Sequence, residues 1–143
     1  MSKSKQQLLD ERYLRMARIW AENSYCERRQ VGALIVRGDA IISDGYNGTP
    51  SGFENICEDE NNKTKPYVLH AEANAIISAS RNECIGADLY LVGHDARTGE
   101  ILQDATSCSM CRRMIINAGI DEVVIRRTEE EFDIVPVQKW IDE

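Results

Sequence analysis

Two short stretches carry side chains whose types and spacing could do chemistry. Cys108 and Cys111 close the run Ser107-Cys-Ser-Met-Cys111, and His70 and Glu72 stand two apart in Leu69-His-Ala-Glu72. Taken alone, a Cys-x-x-Cys pair is open to three readings: a redox couple, half of a metal site, or two buried thiols. Taken alone, His70 is a helix-capping or core histidine and Glu72 a solvated first-turn acid, which the helix dipole favours. Together they read differently. Residues three apart in a first helical turn face the same way, so two thiolates can converge on a zinc ion. His70 is the third donor, and three protein ligands leave zinc's fourth position open, as in a catalytic rather than a structural site. Glu72 is near enough to reach a water at that position without ligating the metal. A structural zinc in a binding domain would want a fourth protein ligand and has no need of Glu72. A cytosolic thiol redox protein would leave the His-Ala-Glu run unexplained.

These residues need a scaffold, and the periodicity supplies one. Leu9, Tyr13, Met16, Ala17 and Trp20 define one face of an amphipathic helix over residues 7–23. Residues 30–36 read as a buried strand, and residues 40–45 return as the second strand of a hairpin. A long loop is expected over residues 46–66, with Gly48, Gly52, Pro50 and Pro66; loops of this length are usually functional. A second helix over residues 69–81, a third strand over 87–93, a third helix from Ser107 or Cys108 to Gly119 and a fourth strand over 121–126 follow. The tail could finish as a short helix over residues 137–141. The order α-β-β-α-β-α-β predicts an α/β fold in one domain spanning residues 1–143, with helices packed on a central sheet.

Bulk properties narrow the class. A chain of 143 residues can bury one core. Its longest apolar runs are too short to span a bilayer and its first residues lack a signal-peptide core, so no membrane partner and a cytoplasmic location are expected. Five cysteines is an odd number, which fits no closed disulfide framework. The net charge of −7 disfavours a nucleic acid polymer and favours a small substrate in a local basic pocket.

His-x-Glu upstream of Pro-Cys-x-x-Cys is the signature of the zinc nucleobase deaminases, and the sequence resembles the cytidine deaminase superfamily, most closely its deoxycytidylate (dCMP) deaminase branch. Four blocks carry the resemblance in order: Val31-Gly-Ala, Gly45-Tyr-Asn-Gly-Thr-Pro-Ser-Gly52, Pro66-Tyr-Val-Leu-His-Ala-Glu-Ala-Asn-Ala-Ile76 and Ser107-Cys-Ser-Met-Cys111. Ala118-Gly-Ile-Asp-Glu-Val-Val124 matches the exit from helix to strand. The resemblance implies a three-layer fold, a mixed sheet with helices on both faces, and one catalytic Zn2+ per chain on His70, Cys108 and Cys111. It implies Glu72 as the proton carrier in hydrolytic deamination of a cytosine nucleotide, dCMP to dUMP and ammonia. It also implies a sugar contact from Asn47, although Asn47-Gly48 read alone is a turn dipeptide, and a substrate contact at Ala71.

Two departures stand out. Ser107 replaces the usual proline; serine can cap the helix, but the pocket wall near the leaving amino group changes. Residues 94–104 lengthen a connection and resemble an added hairpin or a continued strand, with His94 expected at the surface. For the substrate phosphate the candidates are Arg28 and Arg29 before the first strand and Arg126 and Arg127 at the end of the fourth. Cys26, Cys57 and Cys84 are expected as free thiols, with a second, structural zinc on Cys26 and Cys57 as the lesser reading. Within the superfamily, the alternative substrates are another nucleoside, a modified cytidylate or a purine base. The branch further implies dCTP and dTTP as effectors at the Gly-Tyr-Asn-Gly loop and a homo-oligomer, from dimer to hexamer.

Overall fold

The computed structural model describes residues 2–143. Its elements are α1 (Lys5–Ala21), β1 (Arg29–Arg37), β2 (Ala40–Tyr46), α2 (Ala71–Ile77), α3 (Arg81–Cys84), β3 (Asp88–Asp95), α4 (Ser109–Ala118), β4 (Glu122–Arg126), β5 (Phe132–Pro136) and α5 (Val137–Ile141). The five strands form one mixed sheet in the order β2-β1-β3-β4-β5. The one parallel pair is β3 with β4, joined by the α4 crossover; β1–β2, β1–β3 and β4–β5 are antiparallel.

Strand alternation sorts the sheet into two faces. Ala33, Ile35, Leu89, Leu91, Val123 and Ile125 point to one side, where they pack with α2, α4 and α5 through Ala71, Ala75, Ile115 and Trp140. Leu34, Val36, Tyr90, Val92 and Val124 point to the other and cover Tyr13, Leu14 and Ala17 of α1. The fold is therefore three layers, with α1 on one face of the mixed sheet and α2, α4 and α5 on the other. Among the described residues no helix is long and apolar enough to cross a membrane.

Several local expectations are corrected. α1 starts two residues earlier than periodicity places it, because Ser4 and Gln7 form a reciprocal capping box. Its buried stripe is Asp10, Tyr13, Leu14, Ala17 and Ala21, while Met16 and Trp20 are exposed. The reason is close approach: a Cβ at Gly32 of β1 would sit 2.0 Å from the Ala17 carbonyl oxygen, so the helix seats on its small residues. The second helix ends at Ile77, and Ser80 caps a separate turn, α3, with Glu83. β5 was hidden behind three consecutive glutamates. It is an edge strand with a mostly exposed face, so it lacks a strong apolar signature.

Cys26 and Cys57 are joined in a disulfide rather than free, which leaves Cys84, Cys108 and Cys111 as thiols. The buried Glu58 carboxylate draws the two segments together. It accepts the backbone N–H groups of Glu27 and Arg28 at 3.1–3.3 Å, which brings the Cα atoms of Cys26 and Cys57 to 5.2 Å, within bonding range.

Candidate metal centre and its cavity

Two helix N-termini meet above the sheet and deliver the donors. His70 occupies the N-cap of α2 and Cys108 the N-cap of α4; the cap is thus Cys108 itself, not Ser107, and the Cys111 N–H donates to its Sγ at 3.4 Å. α2 is held against β2 by Ser43 Oγ donating to the Ala75 carbonyl (2.8 Å) and by Asn74 Nδ2 donating to the Tyr46 carbonyl (2.8 Å). Gly45 makes that seat possible, since a Cβ there would lie 2.5 Å from both Ala71 O and Ala75 N.

His70 Nδ1 lies 3.5 Å from Cys108 Sγ and 3.3 Å from Cys111 Sγ, and all three donor atoms fall within 4.8 Å of one another. Tetrahedral zinc with bonds of about 2.3 Å to sulfur and about 2.0 Å to nitrogen separates the two kinds of donor by about 3.5 Å. The spacing fits. So does the charge: burial pushes the Cys111 thiol up from its ordinary range, and Glu72 and Cys108 push it further. A cation bound among the donors would offset that penalty on the Cys111 thiolate.

Beside these donors opens a cavity of about 190 Å³ whose wall includes His70, Ala71, Glu72, Asn47, Arg29 and Cys108. Glu72 is buried, at 4 % exposure, yet lines the cavity. Asn47 is more than a turn residue. Its Oδ1 accepts the Val31 N–H and its Nδ2 donates to the Arg29 carbonyl, both at 2.8 Å, which fixes the end of β2 to the start of β1. Ser107 is fully buried, and its Oγ has no hydrogen-bond partner among the described residues; it does not line the cavity. Glu58, Cys26, Thr64 and Asp104 do line it. Glu58 and Thr64 come from the long loop over residues 46–66 that the sequence marks as functional, and Asp104 from the end of the added segment. Cys26 has no place there in the sequence reading, because its position is set by contacts far along the chain.

The four candidate arginines separate. Arg29 lines the cavity. Arg28 is exposed and contributes backbone rather than side chain to the Glu58 contact. Arg126 shares strand parity with Val124, so it lies on the α1 face, buried at 5 % exposure and paired with Glu11. Arg127 has the opposite parity; its Nε donates to Asp133 Oδ2 (2.7 Å) and its Nη1 to the Gln103 carbonyl (2.9 Å). His94, expected at the surface, is buried on the α1 side with Nε2 2.6 Å from Gln30 Oε1, and burial, then Arg18, hold its imidazole below the usual range.

Comparison with known proteins agrees with this geometry. The family model described as the cytidine and deoxycytidylate deaminase zinc-binding region matches residues 8–127. Deoxycytidylate deaminase of Mycobacterium phage D29 is 30% identical over 129 residues, which is 80% of this chain and 91% of that protein. Deoxycytidylate deaminase of Saccharomyces cerevisiae is 32% identical over 139 residues; the match covers 88% of this chain, and the chain spans 41% of the yeast protein's length. The crystal structure of dCMP deaminase from the cyanophage S-TIM5, in complex with dCMP and dUMP, superposes with a TM-score of 0.69 at 33% identity, covering 87% of this chain and 84% of that one.

Proposed function

The chain belongs to the cytidine and deoxycytidylate deaminase family, and we propose that it hydrolyses the 4-amino group of dCMP, giving dUMP and ammonia. The observation that carries the proposal is the convergence of His70, Cys108 and Cys111 within 4.8 Å of one another, beside a cavity that His70, Cys108 and Glu72 line. A zinc ion held by those three side chains supplies Lewis acidity and a nucleophile at neutral pH.

The chain's own residues do the rest. Glu72 takes one proton from the attacking water and delivers it to ring N3, then takes the remaining hydroxyl proton and passes it to the amino group, which leaves as ammonia as the C4 carbonyl forms. The N-terminal ends of α2 and α4 place partial positive charge beside the donor set. Asn47 and Ala71 hold the sugar and base in this reading, with Asn47 already oriented by its two contacts to β1. Arg29, in the cavity wall, takes the 5′-phosphate. Arg126 is committed to Glu11 on the far face, and Arg28 and Arg127 stand outside the wall. The buried, unpartnered Ser107 hydroxyl shapes the wall behind Cys108 rather than touching substrate.

A polar cavity of about 430 Å³ lies along residues 44–52; in this reading it is where dCTP or dTTP would act, in a homo-oligomer of the chain. A second substrate reading, deoxycytidine, is favoured by one observation: Arg29 is already matched by Asp104 at 3.2 Å. Ammonia release from dCMP, deoxycytidine, CMP and guanine, offered to zinc-loaded protein, separates the readings. Release from dCMP alone supports the proposal. Equal release from deoxycytidine removes the phosphate requirement, and release from guanine alone overturns the cytosine assignment.

A further inference from the structure

The cavity that holds Glu72 has one guanidinium in its wall, Arg29, and that guanidinium is not free. Its Nη2 lies 3.2 Å from Asp104 Oδ2, and Asp104 lines the same cavity. We propose that Asp104 is an internal competitor for the phosphate subsite. It occupies Arg29 as a phosphate would, weakens the grip on 5′-monophosphorylated substrates, and so sets the preference between nucleotide and nucleoside. The inference rests on the deaminase reading and on Arg29 as its phosphate cation.

The contact is built into the fold from both sides. Asp104 sits in a turn that follows the bridge between His94 and Ile101. Leu102 N donates to the Gly93 carbonyl at 2.9 Å, and Ala105 N to the Leu102 carbonyl at 3.2 Å. Arg127 clamps the same turn through the Gln103 carbonyl. Gly93 lets the turn close on β3, since a Cβ there would meet Ala105 Cβ at 3.0 Å. On the other side, the Arg29 carbonyl accepts from Asn47 Nδ2, and Glu58 holds the N–H groups of Glu27 and Arg28 just before it. Both members of the pair therefore ride on pinned backbone.

Carboxylate and phosphate present similar pairs of oxygens to a guanidinium, so they compete for one fork. A phosphate dianion must displace Asp104 or sit beside it against like-charge repulsion. An uncharged nucleoside meets neither cost. The Arg29 and Asp104 side chains are 51 % and 69 % exposed, and pairs this open are weak. The competitor therefore tunes phosphate affinity and does not abolish it. Asp104→Asn is expected to raise the ratio of kcat/KM for dCMP to that for deoxycytidine about three- to tenfold, chiefly through KM.

The test uses the full zinc-loaded chain: wild type, Asp104→Asn, Arg29→Ala and the double variant, with dCMP and deoxycytidine at low and high salt. Calorimetric titration with inorganic phosphate runs in parallel. The expected result is a raised ratio in Asp104→Asn, a smaller gain at high salt, no gain when Arg29 is already alanine, and tighter phosphate binding in Asp104→Asn. An unchanged or lowered ratio overturns the competitor role even if dCMP is turned over well. If neither compound is deaminated, the deaminase reading fails instead. The phosphate titration then decides the competitor role alone: unchanged affinity in Asp104→Asn overturns it, and tighter binding retains it.

Discussion

Arg126→Leu should cost stability and leave substrate affinity alone. Arg126 is 5 % exposed and paired with Glu11, whose side chain is 17 % exposed, and it stacks at 5.5 Å over Phe132. Breaking a fully buried pair from one side costs about 3–5 kcal/mol. Here Glu11 can turn partly to water and keeps Lys3 at 3.3 Å, so about 2–3 kcal/mol is expected. For a chain of this size that is a fall in Tm of about 6–12 °C. The pH dependence carries a second signature. Burial pushes the Glu11 carboxyl up, but hydrogen bonds and charge attraction from Arg126 and then Lys3 outweigh it and hold the group below its ordinary range. A depressed carboxyl contributes stability above its unfolded value and loses it as pH falls through the folded one. The gap between wild type and Arg126→Leu should therefore be full at pH 7 and shrink below about pH 4.5. Circular dichroism melts of metal-free protein across that range measure it, and dCMP kinetics on zinc-loaded protein measure the other half. An unchanged Tm with KM for dCMP raised tenfold would refute the reasoning and return Arg126 to the phosphate.

Other consequences are checked as directly. Burial, and then Glu122, Asp121 and Asp10, push the Asp88 carboxyl up to about 6. Its contribution is intact below pH 3.8 and is lost as pH rises through 6, so Asp88→Asn should gain about 1–2 kcal/mol at pH 8, allowing for partial exposure, and almost nothing near pH 4; urea titrations at the two pH values decide. Gly45→Ala places a Cβ 2.5 Å from two backbone atoms of α2. It should destabilise by about 3 kcal/mol and speed zinc loss to a chelator, because His70 is the N-cap of that helix. Unfolded, unreduced protein should titrate three thiols, Cys84, Cys108 and Cys111, and five after reduction; five at the outset would remove the disulfide.

The donor set was legible in the sequence because its geometry is local. Cys108 and Cys111 share one helical turn, and His70 and Glu72 another, so spacing alone foreshadows the cluster that the fold assembles. β1 to β4 were legible for the same reason, as short apolar runs between turn residues. What escaped was decided by partners distant in sequence. The buried face of α1 depends on Gly32, and the Cys26–Cys57 bond spans 31 residues. The separation of Arg126 from the cavity was half legible. Alternation puts it with Val124, but which face carries the donors becomes clear only when α2 and α4 pack together against Val123 and Ile125.

The central claim is that Glu72 moves protons beside a zinc ion held by His70, Cys108 and Cys111. The most direct measurement pairs zinc content with ammonia release from dCMP for wild type and Glu72→Ala. The account predicts about one zinc per chain in both proteins and a loss of about 10³-fold or more in kcat for the variant. A zinc-loaded Glu72→Ala that still releases ammonia near the wild-type rate would contradict it, as would zinc-loaded wild type that releases none from any cytosine compound.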